Sequence, residues 1–113
     1  MEKETLGKKH CKPCEDKTGL LSHEEATSFN KEVDHWHIIE DKRIEKTFRF
    51  KDFAAALAFV NAVGAIAEAE GHHPDIYLTE WNKVSLSLST HSIQGLSEND
   101  FILAAKVDEI TRA

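Results

Sequence analysis

The sequence predicts an α+β fold: a four-stranded antiparallel sheet with about three helices packed on one face. Three observations predict it. Arg43–Phe50 and Lys83–Thr90 alternate apolar and polar residues, as strands with one buried face do. Residues 53–70 instead carry apolar side chains at helical spacing. The segment order, helix, strand, strand, helix, strand, strand, helix, groups strands into hairpins separated by helices.

Each element has its own signal. Residues 1–20 are mostly polar and charged and read as a flexible arm; residues 21–113 form one domain. Ser22-His23-Glu24-Glu25 is a capping-box pattern, which starts a helix running to about Val33 with Ala26, Phe29 and Val33 on one side. Trp36–Ile39 is β-prone and Glu40-Asp41-Lys42 is a polar turn. In Arg43–Phe50, residues Ile44, Phe48 and Phe50 share one face while Glu45, Thr47 and Arg49 share the other. Asp52 caps the longest helix, about Phe53 to Glu70, with Phe53, Leu57, Val60, Gly64 and Ala67 as its inward face, widened by Phe59, Val63 and Ile66. Gly71 suits the position after the helix, and Pro74 prevents continuation.

Asp75–Thr79 is a short strand and Lys83–Thr90 the clearest one. Val84, Leu86, Leu88 and Thr90 point one way; Ser85, Ser87, Ser89 and His91 point the other, so His91 falls at the strand's end on a small, polar face. That face suits a subunit contact or a cleft wall. Gly95 lies in a turn, and Ser97 caps a last helix with Glu98 and Asp100 in its first turn. Phe101, Ala104 and Ala105 pack from it, joined by Leu103, Val107 and Ile110.

The net charge of −6, from 20 acidic and 14 basic residues, offers no basic stripe and argues against direct nucleic-acid binding. No apolar run reaches the roughly 18 residues of a membrane span; FAAALAFVNAVGAIA is interrupted by Asn61 and Gly64. The N-terminus lacks the apolar core of a secretory signal, so a cytoplasmic protein is expected. Cys11 and Cys14 form a C-x-x-C pair. A redox couple needs a preceding strand and a zinc site needs two more ligands, and neither is evident, so the pair reads as incidental.

The chemistry-bearing stretch is EAEGHHPDIY, Glu68–Tyr77. Adjacent His72 and His73 follow a helix end and precede a proline, so they point to opposite sides of a constrained backbone. Three readings fit. The imidazoles cap a helix C-terminus; they bind a metal, with Glu68 four residues before His72; or they transfer protons at neutral pH, with Glu68 fixing a tautomer. Adjacent His-His is a poor metal pair, and no serine or cysteine is paired as a nucleophile.

At these residues the chain resembles pterin-4a-carbinolamine dehydratases. The pattern is an acidic residue, three residues, His-His-Pro, an aromatic, a further His and a later Asp: Glu68, His72-His73-Pro74, Tyr77 or Trp81, His91 and Asp100. N-K-V, S-T-H and G-L-S-x-x-D follow in order, and the similarity covers about residues 35–111. The resemblance implies loss of water from a 4a-hydroxytetrahydropterin to give quinonoid dihydropterin, recycling the cofactor of aromatic amino acid hydroxylases without metal or organic cofactor. It implies His72, His73 and His91 as the acid–base set, with His73 foremost. Gly71, Ser89, Thr90 and Ser92 join the histidines in lining the pterin pocket, Glu68, Pro74 and Asp100 act in support, and Trp36 walls the pocket. Many members carry Asp or Asn at the position of Gly71, so any side-chain contact from there is missing. The resemblance also implies a homodimer or homotetramer, and a different-class alternative: a dimerisation cofactor or transcriptional coactivator without essential catalysis.

Overall fold

In the computed structural model, which describes residues 6–11 and 19–112, four strands form one antiparallel sheet: β1 (His37–Ile39), β2 (Arg43–Arg49), β3 (Asp75–Thr79) and β4 (Lys83–Leu88), in the order β1-β2-β4-β3. Three helices accompany it: α1 (His23–Asn30), α2 (Phe53–Glu70) and α3 (Glu98–Arg112). The expected α+β class and element order hold.

Both hairpins turn tightly because paired residues adopt left-handed backbone, Glu40 and Asp41 in one and Glu80 and Trp81 in the other. Register follows from the buried face. Ile44 pairs with Leu88 and Phe48 with Val84. All four are buried, and Leu86 joins them. The other face is polar, where Thr47, Ser85 and Tyr77 lie side by side. Lys46 shares the apolar face of β2 with Ile44 and Phe48, a position a lysine occupies only with a partner. Its Nζ lies 2.8 Å from Asp108 Oδ1 on α3.

The helix ends obey the local chemistry. Ser22 and Glu25 make both halves of the capping box. However, α1 stops at Asn30 rather than Val33, where Asn30 Nδ2 donates to the Trp36 carbonyl at 3.0 Å and the chain turns toward β1. Asp52 Oδ1 accepts the Ala55 N–H at 2.8 Å to start α2. Gly71 ends it in left-handed conformation, φ 66°.

Helix α2 buries part of the face expected, with Phe59, Val63 and Ala67 inward and Val60 and Ile66 partly covered, but Ala56 takes the place of Phe53 and Leu57. Ala56, Phe59, Val63 and Ala67 face the core, whereas Phe53 is 48% and Leu57 41% exposed. Small alanines let the helix sit close to the sheet, and the ring of Phe59 fills the gap, 4.7 Å from Phe48 and 4.9 Å from Phe50. By length and composition this 18-residue helix, mean hydropathy 1.4, is apolar enough to span a membrane, contrary to the sequence expectation. Alanines supply much of that apolarity, and Phe59 and Val63 are accounted for by the packed stripe, whereas Phe53 and Leu57 stay on the outer face.

Helix α3 is the most enclosed of the three helices. Phe101, Ile102, Leu103, Ala104 and Val107 are all buried. They are covered by α1, by α2 and by a single 3-10 turn at Leu6–Lys8. That turn belongs to the stretch expected as an arm, and its Leu6 joins the core.

Candidate active site

Four chain segments meet beside the C-terminus of α2, one of them reaching in from near the N-terminus at Cys11. Gly71 turns the chain out of the helix and delivers His72 and His73 to the corner before β3. Strand β4 ends at Leu88, earlier than the expected Thr90, and His91 therefore opens a 3-10 turn, His91–Ile93, instead of closing the strand. Thr90 and Gly95 exchange backbone hydrogen bonds across the base of this loop, at 2.8 and 3.4 Å, leaving His91 exposed. The first turn of α3 supplies the third segment.

Between them lies a cleft of about 500 Å³, lined by Cys11, Glu70, Gly71, His72, His73, Ser89, Thr90, His91, Ser92 and Asn99. Seven of these are the catalytic and pocket residues expected from the sequence: the three histidines, Gly71, Ser89, Thr90 and Ser92. The other three, Cys11, Glu70 and Asn99, were not anticipated.

The two adjacent histidines differ sharply in setting. His72 is 12% exposed in its side chain, and its Nε2 lies 2.6 Å from Oδ1 of fully buried Asp100. The other oxygen of Asp100 accepts the Thr90 hydroxyl at 2.9 Å and the Ser97 N–H at 3.0 Å. A carboxylate only accepts, so the proton of this contact sits on His72 Nε2. His73 is 61% exposed and pairs through Nε2 with Glu68 Oε1 at 2.6 Å. Glu68 thus supports a histidine without lining the cleft. It reaches His73, not the His72 suggested by a four-residue spacing, because α2 ends before that helical register applies.

Glu70 is the carboxylate inside the cleft. Its side chain is 7% exposed. Burial alone pushes its carboxyl up, but the Cys11 N–H at 2.7 Å, His10 and Lys106 outweigh that and hold it below the ordinary 4.5. Burial foremost, then the charges of Glu70 and Asp100, pushes the Cys11 thiol up to about 12. Cys14 lies outside the described residues, so the C-x-x-C pair is seen only at its first member.

Trp36 does not reach this cleft. It is 3% exposed in the core, its Nε1 donating to Asp108 at 3.1 and 3.2 Å and its ring edge-on to Phe48. The aromatic-wall expectation fails because Trp36 packs against Asp108, more than two turns along α3 from Asn99, the residue of that helix that lines the cleft. Pro74 holds the corner and does not line the cleft. Among the described residues, no group of three His, Cys, Asp or Glu side chains is arranged to hold a metal ion.

Fold and cleft together define a class: a small α+β protein with an imidazole-lined pocket where α2 runs into β3. The family profile of pterin 4 alpha carbinolamine dehydratase matches residues 19–110, and the chain belongs to that family. A protein of Alkaliphilus metalliredigens carrying the name pterin-4-alpha-carbinolamine dehydratase is 46% identical over 105 residues, covering 92% of this chain and 94% of its own. One of Microcystis aeruginosa with the same name is 42% identical over 110 residues, covering 95% and 94%. The crystal structure of a transcriptional coactivator/pterin dehydratase from Brucella melitensis superposes with a TM-score of 0.75 at 32% identity, covering 80% of this chain and 96% of that one. A pterin dehydratase-like protein described as a RuBisCO assembly factor in the alpha-carboxysome gives 0.57 at 26% identity, covering 68% and 89%.

Proposed function

We propose that this chain dehydrates a 4a-hydroxytetrahydropterin in the cleft at His72, His73 and His91. The observation that carries the reading is three imidazoles opening on one cleft, two of them anchored by carboxylates at 2.6 Å. The reaction breaks the C4a–OH bond and removes the proton from N5, giving quinonoid dihydropterin and water. One group must protonate the departing hydroxyl and another must take the N5 proton. Imidazole is the side chain that both gives and takes protons near neutrality.

The anchoring assigns the work. His72, held by buried Asp100, is the fixed group. His73 and His91 are the solvent-reaching pair that exchange protons with water between turnovers, and His73 is the principal acid–base residue. Ser89, Thr90 and Ser92 provide the polar wall. A coactivator-like role alone would not require an imidazole cluster with paired carboxylates, so dehydration is the favoured reading.

The enzyme is proposed to be cytoplasmic; it is also proposed to self-associate, which the exposed side chains of Phe53, Leu57, Tyr77 and Trp81 support. The decisive experiment follows water loss from a 4a-hydroxytetrahydropterin with wild type and His73→Ala. A loss of about a hundredfold supports the reading, and equal rates refute it.

A further inference from the structure

Helix α2 ends on a residue that neither the dehydration nor the family pattern uses. Glu70 lies in the cleft with its side chain 93% buried, and both of its oxygens point to the N-terminal segment. Oε1 accepts the Cys11 N–H at 2.7 Å, and Oε2 lies 2.9 Å from His10 Nδ1. Lys106 on α3 ties the same segment from the other side, donating to the Gly7 carbonyl at 3.0 Å while standing 3.8 Å from Glu70 Oε2. Leu6 anchors the start of the segment in the core. The Lys9–Glu98 pair, 2.7 Å long, is about a third exposed and contributes little by comparison. Glu70 is therefore the main tie at the point where the segment meets the cleft.

The segment lies ahead of the residues matched by the family profile, yet Cys11 lines the cleft together with His72 and His73. Its Sγ lies 3.7 Å from the Asn99 carbonyl at the start of α3, which closes that side of the cleft. A protonated thiol takes no part in proton transfer near neutrality, but it is a soft, polarisable group suited to lie against a flat heteroaromatic ring.

We propose that Glu70 is a positioning residue that latches the end of Leu6–Cys11 at the cleft, so that Cys11 forms a wall for the pterin ring and sets substrate affinity rather than the rate of the chemical step. The inference rests on the dehydratase reading and adds to it a residue and a segment acting on binding.

The test uses the full chain carrying Cys14→Ser, so that Cys11 is its only thiol. Two quantities are followed: KM and kcat for a 4a-hydroxytetrahydropterin with the dissociation constant of a stable 7,8-dihydropterin, and the rate at which iodoacetamide alkylates Cys11. In Glu70→Ala, KM and the dissociation constant should rise about tenfold while kcat stays within about twofold, as loss of a charged hydrogen-bond partner implies. Alkylation of Cys11 should accelerate by a similar factor. Glu70→Gln keeps a carbonyl acceptor for the Cys11 N–H and should fall between. In the parent chain, bound dihydropterin should slow alkylation. An unchanged KM with Cys11 released, a fall in kcat at unchanged KM, or no protection by dihydropterin would each overturn the proposal. A parent chain that protects Cys11 without turnover would instead overturn the dehydratase reading while leaving the wall in place.

Discussion

His72 Nε2 stands 2.6 Å from Oδ1 of Asp100, a carboxylate with no exposed surface. Asp100 also bonds Thr90 and Ser97, so one side chain ties together the α2–β3 corner, the β4 exit and the start of α3. Asp100→Asn keeps the size but replaces one accepting oxygen with a donor. It should reverse the tautomer of His72 or break the contact. We expect kcat to fall between about tenfold and a hundredfold, by analogy with lost orienting partners of histidine ligands. Steady-state kinetics, with circular dichroism to verify folding, checks this.

His73 and Glu68 form a pair of equal length but opposite exposure, 61% and 79% in their side chains. Solvent screening makes such a contact weak. Glu68→Gln should therefore change kcat by no more than about threefold, while His73→Ala removes a proton-transfer group and costs about a hundredfold. A Glu68→Gln effect as large as that of His73→Ala would give Glu68 a chemical role.

The same region shows how far the sequence could be read. Ser22, Asp52 and Gly71 announce helix ends through local chemistry, and the structure places each as expected. The histidines were legible because His-His-Pro fixes a backbone corner. The choice between Glu68 and Glu70 was not. Helical spacing favours Glu68 toward His72, but the left-handed turn at Gly71 redirects both histidines and leaves Glu70 facing inward. The inward stripe of α2 was ambiguous because alanines flank every candidate face. Trp36 and Asp108 are 72 residues apart, and no local pattern joins them. Lys46 was a usable signal: a lysine between Ile44 and Phe48 on an apolar strand face requires a buried acid.

Glu70 also gives a pH dependence. Burial opposes its ionisation, yet the Cys11 N–H, His10 and Lys106 hold its folded-state pKa below 4.5. A carboxyl depressed on folding stabilises the native state above the unfolded value, and that contribution is lost as pH falls through the folded value. The Tm of wild type should thus drop more steeply below pH of about 4.5 than the Tm of Glu70→Gln. Parallel Tm curves from pH of about 6 to 3 would count against the linkage.

Cys11 gives the opposite sign at the alkaline end. Burial first, and the nearby carboxylates second, raise its pKa from 9.0 to about 12. An unfolded chain ionises this thiol at lower pH than the folded one, so its stabilising contribution is complete below 9.0 and disappears as pH rises toward about 12. Near pH of about 8, iodoacetamide should modify Cys11 in a Cys14→Ser chain far more slowly than it modifies a free cysteine of pKa about 8.5. Mass spectrometry of timed reactions measures it.

Away from the cleft, Asp108 is the residue whose loss should be felt most in stability. Its carboxylate is 2% exposed and accepts from Trp36 Nε1, the Asp34 N–H and Lys46 Nζ, while Lys46 is itself 15% exposed beside the Trp36 and Phe48 rings. Asp108→Ala removes one partner of a buried pair, strands the ammonium and leaves the indole N–H unpaired. Such a break costs about 3–5 kcal/mol, whereas replacing both charged partners by apolar residues is often nearly neutral. Urea denaturation should therefore show a loss of about that size for Asp108→Ala and a smaller one for Asp108→Leu combined with Lys46→Met. Because Asp108 lies two helical turns beyond Asp100, kcat of the folded Asp108→Ala protein should stay within about twofold of wild type, which separates this stability determinant from the proton-transfer site.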